Sequence, residues 1–364
     1  MSFTAADHAF MARALELAAR GLYTTTPNPR VGCVLVRDGV IIGEGWHEQA
    51  GGPHAEIVAL QKLGAGETAR RATVYVTLEP CAHHGRTPPC ADALIAAGVG
   101  RVIAAMQDPN PLVAGQGLAR LAAAGIEVAC GLMEEEAREL NIGFNARMTR
   151  GRPWLRLKVA LSLDGKTALA NGASQWITGQ PARRHAHGWR ARSCALITGI
   201  GTVRADDPRL TVREVATPRQ PLRVVVDSQL AIPLDAAILE GGPCLVACAR
   251  HDAEKAARLK ARGAEVIELP DAQGKVDLAA LLVELGRRGI NEVMAEAGPT
   301  LNGALLRAGL VDELLIYQAP LLLGDDARGC ADFGRLNALS EAKRLTIVEC
   351  RAVGADRFLR ARFA

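Results

Sequence analysis

His54 and Glu56 follow the entry Gly51-Gly52-Pro53, and Cys81 and Cys90 stand with eight residues between them in a loop rich in proline and histidine. One imidazole and two thiolates form a ligand set that suits Zn2+, with the fourth tetrahedral position left to water. Such a three-ligand site is catalytic in style, because structural zinc normally takes four protein ligands. In mid-helix Glu56 and His54 would point apart, since positions i and i+2 do not share a face. At a first turn both can reach past the helix end. The carboxylate would then lie beside the bound water without binding the metal, taking the water's proton and passing it to a leaving amine. His83 and His84 share the loop, and either as a fourth ligand would close the site into a structural one.

These residues need helix starts and strand ends to hold them. A helix is expected at 3–20, then strands at 31–36 and 40–46 joined by a turn at Asp38-Gly39. Helices at 54–64, 90–98 and 116–125 alternate with strands at 73–79, 101–106 and 126–130. That alternation implies βαβ units in a layered α/β domain. It also sets His54 and Cys90 at helix starts, where free N–H groups and the helix dipole favour thiolate over thiol. The stretch 146–154 carries three Arg, a Gly and a Pro without apolar period, and is expected to mark a domain boundary. Beyond it strands are expected near 155–163, 194–199, 222–227, 244–248, 265–269, 291–296 and 312–317. Helices fall near 180–192, 252–262, 277–288 and 300–309. Gly199-Ile200-Gly201-Thr202-Val203-Arg204 lacks the third glycine of a dinucleotide fingerprint. The segment from Glu296 to Ala304 follows a strand and opens a helix, so it could present free N–H groups to a phosphate.

Composition narrows the classes. At 364 residues the chain has room for two domains at about 150 residues each. A net charge of +4 and 4% aromatic residues argue against a nucleic-acid coat or a stacking platform for single strands. Apolar runs stop well short of the roughly 18 residues of a membrane span, and the start lacks a secretory pattern. A cytoplasmic protein is expected. Seven of the nine cysteines read as small buried residues; only Cys81 and Cys90 need another purpose.

The His-x-Glu and Pro-Cys…Cys pattern resembles the nucleobase-deaminase signature, although that signature usually has two residues between its cysteines. Pro27-Asn28-Pro29-Arg30, Gly45-Trp46-His47, Pro53-His54-Ala55-Glu56 and the run from Thr77 to Cys90 resemble more closely the deaminase half of the bifunctional riboflavin-biosynthesis deaminase–reductases. In that family the long cysteine spacing is the expected form. Lys158-Val159-Ala160, Ser174-Gln175-Trp176, the run from Gly201 to Arg213, Val226-Asp227-Ser228 and Glu296-Ala297-Gly298-Pro299-Thr300 resemble its reductase half.

The resemblance implies an α/β fold: an N-terminal cytidine-deaminase-like three-layer domain plus a C-terminal dihydrofolate-reductase-like domain. It sets a zinc-dependent deaminase at 1–149 and an NADPH-dependent reductase at 150–364. Zinc would sit on His54, Cys81 and Cys90, with Glu56 as the catalytic proton shuttle and Asn28 near the pyrimidine. NADPH would touch Ala160, Trp176, Thr202, Asp206, Ser228, Gly298, Pro299, Thr300, Leu301, Asn302, Gly303 and Ala304. Substrate would touch Ser174, Arg190, Leu210, Arg213 and Glu296. Arg190 and Arg213 are suited to clamp a ribose phosphate, and Glu296 to accept from sugar hydroxyls. Lys158 could face the substrate, although a lysine on a strand is more often solvated. The partners implied are small pyrimidine ribosyl phosphates, with no nucleic acid and no membrane, and a homo-oligomer is expected. The competing readings are a nucleic-acid-editing deaminase with an unrelated nucleotide-binding second domain, and a zinc-stabilised nucleotide-binding protein.

Overall fold

The computed structural model describes residues 3–83, 88–111 and 113–363, which form two compact units, Met1–Gly151 and Arg152–Ala364. Among the described residues no helix is long and apolar enough to cross a membrane.

The first unit runs α1 (Ala5–Ala19), β1 (Gly32–Arg37), β2 (Val40–Trp46), α2 (Ala55–Gln61), β3 (Thr73–Val76), α3 (Cys90–Ala96), β4 (Arg101–Ala104), α4 (Gln116–Ala123), β5 (Glu127–Cys130), α5 (Glu134–Leu140) and α6 (Ile142–Arg150). Its five strands order as β2-β1-β3-β4-β5, antiparallel through β2, β1 and β3 and parallel from there. Strand alternation makes the three layers. Cys33, Leu35, Val74, Val76 and Val102 face α2, α3 and α4, while Val34, Val36, Tyr75 and Ile103 face α1 and α5. Gly45 lets α2 lie flat on β2: a Cβ there would come within 2.6 Å of the Ala59 nitrogen.

The second unit runs β6 (Trp154–Leu161), β7 (Lys166–Ala168), α7 (Gln180–Arg192), β8 (Ala195–Gly199), α8 (Ile200–Asp206), β9 (Leu222–Val226), β10 (Cys244–Cys248), α9 (Ala253–Ala261), β11 (Ala264–Glu268), α10 (Leu278–Arg287), β12 (Glu292–Ala295), α11 (Pro299–Arg307), β13 (Glu313–Gln318), β14 (Arg328–Gly329), β15 (Leu345–Val353) and β16 (Asp356–Phe363). Nine strands form one sheet, β11-β10-β9-β8-β12-β6-β13-β16-β15, parallel up to β13 and antiparallel at the last two. One face is covered by α7, α8 and α9, the other by α10 and α11.

Three local expectations are corrected. The 146–154 stretch is helical up to Arg150, because Phe144 and Ala146 bury one side of α6 while Arg147 and Arg150 stay outside; Gly151 ends it at φ 69°. Residues 200–206, where the sequence offered only the Gly-bearing run 199–204, form α8, anchored in the core by Val203. The closing β15–β16 hairpin was not anticipated, and its outer strand is exposed along most of its length.

Candidate active sites

Two helix starts and one loop bring the metal-ligating types together. His54 caps α2, Cys90 is the first residue of α3, and Cys81 lies in the segment after β3. Nδ1 of His54 lies 3.2 Å from Sγ of Cys90 and 3.6 Å from Sγ of Cys81, and the three ligand atoms all fall within 4.8 Å of one another. The Cys90 backbone N–H donates to the Cys81 sulfur at 3.3 Å. Hydrogen bonding from the Cys90 thiol, opposed by burial and helped by His54, pulls Cys81 down to about 4; the same bond and burial push Cys90 up. The donor set and its convergence fit a tetrahedral Zn2+ held through His54 Nδ1 and two sulfurs, with a fourth position open. Among the described residues no fourth ligand joins the group: His83 is exposed and outside it, and His84 lies outside the described residues.

Glu56 is in the first turn of α2, buried, with its carboxylate hydrogen-bonded to Cys90. Burial pushes its pKa up to about 7, against the pull of His54. Edge-on to the His54 ring, His47 Nδ1–H donates to the Pro53 carbonyl at 2.9 Å, which leaves Nε2 as an acceptor. The Asn28 amide N–H donates to that Nε2 at 3.0 Å, so His47 fixes which way the Asn28 carboxamide points. Arg30 and Asn141 hold the same loop from behind, through Arg30 N–H to Asn141 Oδ1 and Asn141 Nδ2–H to the Arg30 carbonyl.

Glu79 was missed at the level of sequence. Buried two residues before Cys81, its carboxylate accepts the backbone N–H groups of Asp108, Gly115, Gly117 and Leu118 at 2.8–3.3 Å. It thereby ties the Cys81 segment to the β4–α4 connection. The Leu-Glu-Pro-Cys run was visible, but amide partners about thirty to forty positions away were not.

In the second unit, alternation puts Arg156, Lys158 and Ala160 on the α7 side of β6, since Leu155, Leu157 and Val159 enter the opposite core. Glu296, just beyond β12, is largely shielded, its side chain 10% exposed, and receives Arg190 through Nε at 2.5 Å and Nη2 at 3.0 Å. Lys158 Nζ approaches it at 3.5 Å, so of its two readings the structure turns this lysine toward Glu296 rather than into solvent. Burial would raise the Glu296 pKa, but Arg190 and Lys158 hold it down to about 2. The Arg190 fork is thus turned onto Glu296, with Nη1 donating to the Thr211 carbonyl at 3.3 Å. Arg213, by contrast, is exposed.

Thr202 Oγ1, on α8, accepts the Gly298 N–H at 3.2 Å, which brings two of the named cofactor segments together. Residues 299–304 are the first turns of α11, as the expected helix near 300–309 implies. Leu301 enters the core, and the Asn302 amide donates to the Ala297 and Cys330 carbonyls. A Cβ at Gly303 would lie 1.8 Å from the Asp332 carbonyl oxygen. Only the start of this segment can face a ligand, where the Thr300 and Leu301 N–H groups precede any helical acceptor. Those groups fit a cofactor pyrophosphate. Leu210 is buried with φ 47°, so its backbone, not its side chain, is what a ligand could meet. Trp176 is exposed under the Arg183 guanidinium at 4.5 Å, Ser174 and Ala160 are half-buried, and Asp206 is exposed at the end of α8. Ser228, beyond β9, accepts the Val276 N–H at 3.2 Å.

Residues 4–106 match the family model of the cytidine and deoxycytidylate deaminase zinc-binding region, and residues 153–359 match that of the RibD C-terminal domain. Fold and site therefore define a zinc-dependent deaminase joined to a reductase. The chain is 52% identical to the riboflavin biosynthesis protein RibD of Escherichia coli, over 96% of this chain and 97% of that protein. The chain belongs to the RibD family. Among solved structures it is similar to Acinetobacter baumannii RibD, with TM-score 0.91 and 46% identity over 99% of both chains. It is also similar to a Thermotoga maritima diaminohydroxyphosphoribosylaminopyrimidine deaminase/5-amino-6-(5-phosphoribosylamino)uracil reductase, with TM-score 0.89 and 34% identity over 99% of both chains. It is a bifunctional deaminase and reductase of riboflavin biosynthesis, with Zn2+ and NADPH as cofactors.

Proposed function

We propose that the N-terminal unit deaminates 2,5-diamino-6-(5-phosphoribosylamino)pyrimidin-4(3H)-one, and that the C-terminal unit reduces the ribosyl group of 5-amino-6-(5-phosphoribosylamino)uracil to ribityl. The observation that carries this reading is the convergence of His54, Cys81 and Cys90 beside a buried Glu56. Zinc, when bound there, supplies a Lewis acid that lowers the pKa of water. Glu56 is the proton shuttle: its raised pKa lets it take a proton near neutral pH and hand it to the departing amine. Asn28, oriented by His47, hydrogen-bonds the pyrimidine edge.

In the second unit NADPH supplies hydride, and this chain's residues position and exclude water. Ala160 and Trp176 offer apolar surface to the nicotinamide, while Thr202, Asp206, Ser228 and the backbone at the start of the 298–304 segment hold the rest of the cofactor. Glu296 accepts from ribose hydroxyls, its charge kept by Arg190 and Lys158. Arg213 takes the phosphate, with Ser174 and the Leu210 backbone beside it. The test is zinc analysis combined with NADPH oxidation on the diamino substrate, with Arg213→Ala as the paired variant. Expected are stoichiometric zinc, oxidation that follows ammonia release, and a reductase KM raised about tenfold in the variant at unchanged zinc content. An unaltered KM removes Arg213 from the phosphate site.

A cytoplasmic setting is supported by nine cysteines without a disulfide. A homo-oligomer is supported by β15, a nine-residue edge strand with Leu345, Val348 and the 59%-exposed Ile347 in the open. Ile347→Lys is expected to shift the sedimentation coefficient to that of a single chain. A wild-type enzyme already sedimenting as a single chain overturns the assignment.

A further inference from the structure

Sequence patterns did not single out His187, which is buried on α7 three residues before Arg190. The Arg213 backbone N–H donates to His187 Nδ1 at 3.1 Å. A backbone nitrogen can only donate, so Nδ1 carries no proton, and the neutral ring holds its proton on Nε2. Arg190 Nη1 lies 3.5 Å from Nε2 and is itself a donor. The Nε2–H is therefore not consumed by Arg190. From the same helix Arg190 grips the Thr211 carbonyl and pairs with Glu296. Helix α7 thus holds the 211–213 segment at two backbone points.

We infer that His187 is a positioning residue for the reduction: by accepting the Arg213 amide it sets the phosphate-binding segment beside Arg190 and Glu296. This rests on the reading of Arg213 as the phosphate residue. Electrostatics agree: burial, then Arg190 and Arg213, hold the His187 pKa down to about 4 against Glu296 and Glu214, so the acceptor nitrogen stays unprotonated at neutral pH.

The test is steady-state reduction of 5-amino-6-(5-phosphoribosylamino)uracil and of its dephosphorylated counterpart by wild type, His187→Leu, His187→Gln and Arg213→Ala. Glutamine supplies both an acceptor and a donor; leucine supplies neither. Expected for His187→Leu is a KM raised about tenfold on the phosphorylated substrate, with kcat within about twofold and no change on the dephosphorylated one. His187→Gln should stay within about threefold of wild type in KM, and deamination should be unchanged in all variants. Wild-type KM in His187→Leu while Arg213→Ala raises it overturns the role of His187 alone. An unaltered KM in Arg213→Ala overturns the phosphate reading beneath it. A fall in kcat at constant KM, or an equal loss on both substrates, also overturns the positioning role. If His187→Leu does not fold, His187→Gln decides: a KM raised tenfold there refutes the inference, and retained affinity supports it.

Discussion

Replacing His54 by alanine is expected to abolish ammonia release while reduction of the deaminated intermediate stays within about twofold of wild type. His54 contributes the only imidazole to the ligand group among the described residues, so its loss leaves two thiolates and no third protein donor. Zinc content should fall with it. The reductase residues are carried by the second unit, none of them on the elements that place His54. The comparison variant is Glu56→Gln, which should keep its zinc yet lose about 10²- to 10⁴-fold in deamination, because the amide cannot cycle a proton. Metal analysis, ammonia release and NADPH oxidation on the separate intermediate read all three quantities. Loss of both activities in a folded His54→Ala enzyme would contradict separate sites.

Glu296→Ala should have the largest effect on the other activity. The substitution strands Arg190 and Lys158 in a buried setting, and breaking a buried pair from one side costs about 3–5 kcal/mol. Reduction should fall at least about a hundredfold and the melting temperature of the second unit should drop, while ammonia release persists. Glu296→Gln gives the pH signature. The folded-state pKa of Glu296 is held at about 2, below the ordinary glutamate value of about 4.3. Its ionic stabilisation is therefore complete above about pH 4.3 and is lost as pH falls through about 2. Wild type should melt above Glu296→Gln at neutral pH, and the difference should close on acidification towards that value. A gap of constant size down to pH 2 would show that the charge of Glu296 does not stabilise the fold.

Much of the fold was readable because its signals are local. Period-2 runs such as Cys33–Val36 and Thr73–Val76 bury alternate residues on two faces, and Asp38-Gly39 supplies two positive φ values for the hairpin. The starts of α2, α3 and α7 lay beside prolines: Pro53, Pro89 and Pro181. Less readable were α6 and α8, whose apolar faces are narrow, and β15, whose exposed side chains carry no burial pattern.

By itself the sequence determined the metal-binding types and their attachment to helix starts, because a cap and its following turn are neighbours in the chain. It also determined the two-unit α/β plan, because strand and helix periodicities are written over at most 15 consecutive residues. Only the tertiary structure decided what the buried charges do. Glu79 meets amides 29 to 39 positions away, Glu296 meets Arg190 and Lys158 across 106 and 138 positions, and His187 meets the Arg213 amide across 26. Such pairs depend on which strands lie adjacent and in what register. A carboxylate or imidazole reads the same in the sequence whether water or a buried partner will satisfy it.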